Sequence, residues 1–290
     1  MIPETQLQTW AAYPGTTSAQ ATYASVRLAL ERGMPAGGRY DIFLQGSYGC
    51  DTNVRGDSDV DIVTEYQGAF NYDRSRLSES DRLALQHPGV AYGWSEFREE
   101  VLTALRSYYG SEAVHERNKC ITVDAGSGRL SADVVAAIEH HYYLSRTSTY
   151  QGIAFWTQRD HRKVVNYPRQ HRENATVKNA ATGQRFKPAV RMFKNARLVA
   201  VDRGYLSADD APSYFLQCLI YNASNGLFAP TLQSTYTGVL AGLATAMSIA
   251  ANSLVCENEI ERLFGPTPEQ WDATAATRTL VALRRLWDSW

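Results

Sequence analysis

The sequence predicts an α/β chain of the α+β kind: a mixed-sheet core over residues 1–150, then a helical lobe over 151–290, with a substrate cleft between them. Three observations predict it. A strand at 39–45, in which Tyr40, Ile42 and Leu44 alternate, leads straight into Gly46-Ser47. A second strand at 59–65 carries Asp59 and Asp61 among Val60, Ile62 and Val63. After about residue 150 the strand signals fade and amphipathic helices take over.

The elements follow in order. Thr17 to Arg32 places Tyr23, Val26 and Leu30 at helical spacing, and Gly33 ends the helix. Gly56-Asp57-Ser58 reads as a turn before the second strand. Residues 66–92 are polar and turn-rich, which predicts a surface excursion. Trp94 to Tyr109 is a helix with Phe97, Val101, Leu105 and Tyr108 on one stripe. Lys119–Val123 and Leu130–Ala137 bracket Asp-Ala-Gly-Ser-Gly, a hairpin loop by composition. Helices are then expected at 187–203, 211–224 (Pro212 in its first turn), 231–252 and 268–290. In the last, Leu280, Leu283, Leu286, Trp287 and Trp290 form an apolar stripe, and its tryptophans read as core packing.

The chemistry concentrates in three aspartates. Asp59 and Asp61 are two apart, so a strand presents both carboxylates on one face. Asp133 is a single acid in the apolar run Leu130–Ala137, where a carboxylate is expensive unless paired or metal-bound. The hairpin sets it on a strand beside the first pair. Hard carboxylate oxygens next to a Gly-Ser turn suit Mg²⁺ and a triphosphate, since glycine lets phosphate approach the backbone and a serine hydroxyl can hold it.

Charge adds to this. The net formal charge of −1 says nothing about partners. Between Trp156 and Arg203, however, twelve Lys and Arg face three Asp and Glu, an excess that suits a polyanionic substrate, with nucleic acid as the rival. The four cysteines are scattered and fit neither a zinc pattern nor a disulfide framework, so they read as reduced thiols. His140-His141 has no further ligand at a helpful spacing. No secretory signal stands at Met1 and no apolar run reaches membrane-spanning length, so a cytoplasmic protein without a membrane partner is expected.

The pattern resembles the polymerase-β-like nucleotidyltransferases, and within them the bacterial cGAS/DncV-like enzymes (CD-NTases), closest to the CdnE subgroup. Beyond the acids, the resemblance rests on Asn166-Tyr-Pro-Arg-Gln-His171, Lys178-Asn179, Phe186-Lys187-Pro188, Arg191-Met-Phe-Lys194-Asn195-Ala-Arg197 and Pro212-Ser213-Tyr214-Phe215. It covers essentially the whole chain. It implies a cyclic dinucleotide synthase that joins two nucleoside triphosphates with release of pyrophosphate and serves bacterial antiviral (CBASS) defence. Asp59, Asp61 and Asp133 would hold two Mg²⁺ ions, with Mn²⁺ as a substitute. Asp133 would hold only the metal at the attacking hydroxyl. Gly46 and Ser47 would hold the triphosphate, and Lys194 and Ser213 would reach its β- and γ-phosphates. A product-activated effector protein is the implied partner, and a monomer is expected. The zinc-binding insertion of the animal DNA sensor has no counterpart here, so DNA sensing by that route is not expected.

By residue type alone, Lys194 also reads as a solvent-exposed helix lysine and Ser213 as a helix N-terminal residue. Asn166 offers one acceptor and two donors, which can pair with the uracil edge; its other reading is an Asx turn before Tyr167-Pro168. Relatives that use uridine nucleotides carry asparagine in this Asn-Tyr-Pro context, so UTP is expected, giving cyclic UMP-AMP or cyclic di-UMP. Some pyrimidine-using relatives have a tryptophan shortly before it, whereas Asp160-His161-Arg162-Lys163 stands here, and the second base stays open. Other readings are a transferase onto RNA or protein, and a catalytically silent nucleic-acid-binding relative.

Overall fold

The computed structural model describes residues 1–35, 38–54, 59–85, 87 and 92–290. The expected turn at Gly56-Asp57-Ser58 lies outside the described residues. In chain order the elements are α1 (Glu4–Ala11), α2 (Thr17–Gly33), β1 (Tyr40–Leu44), the single turn α3 (Gly46–Gly49), β2 (Asp59–Asp73), α4 (Glu79–Ala84), α5 (Trp94–Tyr109), β3 (Val114–Glu116), β4 (Ile121–Val123), β5 (Ser131–Ser145), β6 (Ser148–Trp156), β7 (Lys163–Asn166), α6 (Pro168–Ala181), α7 (Phe186–Asp202), α8 (Ser213–Tyr221), α9 (Leu232–Ala250) and α10 (Ala273–Asp288). They form two compact units. A sheet unit spans residues 16–49 and 59–169, and a helical unit holds 1–15, 50–54 and 170–290.

In the sheet unit the strands run β1-β2-β5-β4-β3, and β6 pairs with the later half of β5 and carries β7. All pairs are antiparallel except β2 with β5. The two-residue period of a strand explains the layering. Val60 and Ile62 of β2, with Ala132, Val134 and Ala136 of β5, point to one face and pack against Val26 and Leu30 of α2 and Phe97, Val101 and Leu105 of α5. The odd-numbered residues, the aspartates among them, point to the other. Gly33 ends α2, but for its lack of a side chain: a Cβ there would sit 2.5 Å from the Ala104 Cβ of α5. Tyr108 is an exception to its stripe and stands exposed.

Three expectations change. β2 does not stop at 65 but runs to Asp73, with a register shift between Tyr66 and Phe70, and the short α4 follows. The polar Gln67-Gly68 step masks a strand that resumes with Phe70 and Tyr72. The sheet also continues past residue 150, because β6 and β7 belong to it; their alternation is weak and pairing with β5 holds them. Finally, α1 and α6 were missed, and residues 1–15 fall in the helical unit rather than the core.

The helical unit has its own core, built on α7. Tyr236 of α9 stacks between Phe193 of α7 at 4.9 Å and Trp287 of α10 at 5.2 Å, and its hydroxyl donates to the Leu283 carbonyl. The Glu4 carboxylate of α1 accepts from the Leu232 and Gln233 N–H groups, capping α9 at an end with free amide donors. α8 begins at Ser213, with Pro212 just before its first turn rather than inside it. Trp287 is buried as expected, whereas Trp290 is 38% exposed and packs edge-on against Trp10. The four cysteines are free. Among the described residues no helix is long and apolar enough to cross a membrane.

Candidate active site

The site is built by the parallel pairing of β2 and β5. Asp61 lies beside Asp133 in the register, and two residues back Asp59 lies beside Ser131. Neighbouring strands are about 4.8 Å apart, so one sheet face carries all four polar side chains in a small square. β4 pairs on the other side of β5 with Thr122 opposite Asp133, and the Thr122 hydroxyl donates to Asp133 Oδ1 at 2.7 Å. The Ser131 hydroxyl donates to Asp59 Oδ1. Cys120 Sγ lies 3.9 Å from the Thr122 hydroxyl. Burial, and then the charge of Asp133, push the Cys120 thiol up to about 12, so it stays protonated.

Gly46 completes the square. The Gln45 N–H donates to the Asp61 carbonyl, and Gly46 follows with φ at +62°, the left-handed region. A Cβ on Gly46 would run into the Asp61 carboxylate. Only glycine therefore lets the start of α3, with Ser47 next in line, lie against the acids. Among the described residues no three His, Cys, Asp or Glu side chains are close enough to hold one metal ion. Asp61 and Asp133 are side by side, while Asp59, exposed at the start of β2, is turned to Ser131. The donor set nonetheless suits a hard cation: carboxylates and hydroxyls only, with Gly46 leaving open the space beside Asp61.

Asn166 ends β7, half-buried, paired with Ile153, which itself pairs with Glu139 of β5. It is therefore two strands from β5 and six residues along from Asp133, roughly 20 Å down the strand axis. It cannot touch the same metal or phosphate as the aspartates. Its backbone carbonyl lies against Gly152, which lines a polar recess of about 290 Å³ with Glu65, Glu139, Gln151 and Arg169. Arg169 donates to both Asp41 and the buried Glu65 at 2.8 and 2.6 Å, and lies over the Phe43 ring. Burial raises the pKa of Glu65, and the Arg169 partner works against that rise.

In the helical unit, Lys194 is not a surface lysine. It is buried on α7, and its ammonium donates to the Thr52 carbonyl at 3.1 Å. Ser213 is exposed as the first residue of α8. The structure thus brings Asp59, Asp61, Asp133 and Gly46 together, sets Asn166 apart on the same sheet, and places Lys194 and Ser213 on separate helices. Sequence reasoning missed Ser131, Thr122 and Thr52. Ser131-x-Asp133 repeats the Asp59-x-Asp61 spacing, a signal that could have found Ser131. Thr122 and Thr52 leave no such trace. His140 Nδ1 meets Asn71, and burial, with Lys163 nearby, lowers its pKa to about 4.

The match to known proteins follows the same outline. Residues 173–288 match the cGAS/DncV-like nucleotidyltransferase C-terminal helical domain. The chain is 37% identical to the cyclic UMP-AMP synthase of Rhodothermus marinus over 100% of this chain and 99% of that protein. It is 34% identical to the cyclic dipurine nucleotide synthase of Elizabethkingia meningoseptica over 90% of this chain and 89% of that one. The solved structure of the Rhodothermus marinus CdnE c-UMP-AMP synthase with Apcpp and Upnpp superposes with a TM-score of 0.92, covering 100% of this chain and 98% of that chain at 37% identity. With three carboxylates on one sheet face and the Rhodothermus marinus relative spanning its whole length, the chain belongs to the cGAS/DncV-like nucleotidyltransferases, on the CdnE side of that family, and is a nucleotidyltransferase.

Proposed function

We propose that this chain joins two nucleoside triphosphates, one of them UTP, into a cyclic dinucleotide such as cyclic UMP-AMP or cyclic di-UMP. The observation that carries the reading is the Asp61–Asp133 register pair with Asp59 on the same face. Asp59, Asp61 and Asp133 are the residues that would hold Mg²⁺. Bound there, the metals supply charge neutralisation of the triphosphate and a lowered pKa for the attacking hydroxyl. The chain's own part is positioning. Thr122 aims Asp133 and Gly46 lets the Ser47 turn approach the acids, while Asn166 is assigned to the base by its sequence context. Lys194 and Ser213 are assigned to the β- and γ-phosphates by their sequence context.

UTP use rests on Asn166, on the polar recess beside it, and on the identity with a synthase named for a UMP-containing product. The dipurine synthase among the relatives shows that base choice varies at similar identity, so product identity is the test. A second messenger for antiviral defence, an effector protein that the product activates, monomeric action and a cytoplasmic setting, where nucleoside triphosphates are abundant, belong to the same reading.

The experiment is incubation with labelled triphosphates and Mg²⁺ or Mn²⁺, then phosphatase. Phosphatase-resistant label that disappears in the Asp59→Asn/Asp61→Asn double variant supports the reading. Label carried on RNA or protein instead, or none at all with tight salt-dependent nucleic-acid binding, contradicts it.

A further inference from the structure

Within the helical unit lies a buried polar chain that the chemistry above does not use. Glu257 is fully buried, and His171, Gln217 and Thr52 are nearly so. The Thr52 hydroxyl donates to Gln217 Oε1 at 2.7 Å. The Gln217 amide then donates to Glu257 Oε2 at 2.7 Å, and His171 Nε2 meets the same oxygen at 2.8 Å. Two donors converging on one carboxylate oxygen bring Gln217 Nε2 and His171 Nε2 within 3.0 Å of each other. Among the described residues the other carboxylate oxygen, Glu257 Oε1, is buried with no hydrogen-bond partner, while His171 also meets Cys50. A buried, half-satisfied ion pair is a poor way to gain stability, since well-packed apolar residues serve as well or better. It is a good way to fix a geometry.

What it fixes is the segment 50–54. Lys194 donates to the Thr52 carbonyl, Arg191 to the Asp51 carbonyl at 2.6 Å, and Lys187 pairs with the Asp51 carboxylate at 2.8 Å. These residues belong to the helical unit although the chain on either side belongs to the sheet unit. Thr52 is six residues beyond Gly46 and seven before Asp59. The same threonine holds the ammonium of Lys194 in place through its carbonyl and, at 3.4 Å, its hydroxyl.

We propose that His171, Glu257 and Gln217 are positioning residues for nucleotidyl transfer. Acting through Thr52, they set the Lys194 ammonium and the segment 50–54 that it holds. The proposal rests on the nucleotidyltransferase reading. It predicts that the chain of bonds acts as one unit, so that breaking it at either end has the same kinetic effect.

The test is steady-state kinetics with UTP and ATP at a temperature well below every variant's Tm. Thr52→Val, which keeps shape and removes the hydroxyl, lowers kcat about 10- to 100-fold, the range for loss of a supporting hydrogen bond. Thr52→Ser, which keeps the hydroxyl, stays within about 3-fold of wild type. Glu257→Gln reproduces the Thr52→Val loss, and the Thr52→Val/Glu257→Gln double variant is no worse than either single, since coupled residues are non-additive. If Glu257→Gln does not fold, the neutral pair His171→Gln/Glu257→Gln takes its place in the same cycle. Full kcat in Thr52→Val with only a lowered Tm, or losses that simply add, overturns the proposal. A wild-type protein without activity removes the nucleotidyltransferase reading instead, so the two failures are distinct.

Discussion

Asp61 and Asp133 are direct register neighbours across the parallel β2–β5 pair, and Thr122 from the strand beyond holds Asp133 by a 2.7 Å hydrogen bond. The pair comes from elements 72 residues apart in sequence, and its alignment depends on no loop. A one-residue slip of either strand would send its own carboxylate to the apolar face, so the packing that fixes the sheet also fixes the site.

Asp61→Asn and Asp133→Asn are each expected to lower the rate of product formation by at least about 10²-fold, because a charge-stabilising group is removed while its shape is kept. Thr122→Val should cost about 10-fold, because it removes a support of Asp133 rather than the carboxylate itself. Radiolabelled product yield at saturating triphosphate and Mg²⁺ measures all three. A Thr122→Val loss as large as that of Asp133→Asn would count against this ranking.

Gly46→Ala places a Cβ at φ +62° and into the Asp61 carboxylate. The backbone strain alone is about 1–2 kcal/mol, which corresponds to a Tm loss of roughly 2–3 °C at this chain length. Activity should fall well beyond what the lost stability explains, since Asp61 must move. Thermal melts and rates on the same preparation check this, and retained activity would show that the close approach of Gly46 is dispensable.

That Asp59, Asp61 and Asp133 share one sheet face was legible in the sequence, because a strand's period of two turns Asp59-x-Asp61 into a spatial statement and because Asp133 stands out in an apolar run. The Trp94–Tyr109 helix was legible from its stripe to the residue. Other features were not. β6 and β7 exist through pairing with β5 rather than through their own alternation. The end of β2 was hidden by a register shift at Gln67-Gly68. The burial of Lys194 depends on Thr52, 142 positions away, and nothing local separates such a lysine from an exposed one. Long-range partners, not propensities, decided each miss.

His171 supplies a pH signature. Burial opposes its charge, but Glu257 overrides this and raises its pKa to about 10 from an ordinary value of about 6.5. A raised histidine pKa stabilises the folded state fully below about pH 6.5, and the contribution shrinks as pH rises, to vanish near 10. Denaturant midpoints should therefore fall between pH 6.5 and 10 in the wild type, and His171→Gln should flatten that slope while lowering the midpoint at pH 6.5. An unchanged slope in the variant would contradict the assignment.

Asn166→Ser is expected to shift product toward purines while leaving the total rate within about 10-fold, because a site that pairs a base edge rejects others by leaving polar groups unmatched. The residue is roughly 20 Å along the sheet from Asp133, so the three aspartates should be untouched. Base composition of the product by nuclease digestion and chromatography measures the shift. Equal uridine content in both proteins would remove Asn166 as the base reader and leave the rest of the site standing.

The most direct test of the central claim is the mass of the product formed from equimolar ATP, GTP, CTP and UTP with Mg²⁺. The account predicts a phosphatase-resistant cyclic dinucleotide containing at least one uracil, absent when Asp61→Asn replaces the wild type. A product of purines alone would contradict the uridine reading, and linear oligonucleotides, labelled macromolecules or unconverted triphosphates would contradict cyclic dinucleotide synthesis itself.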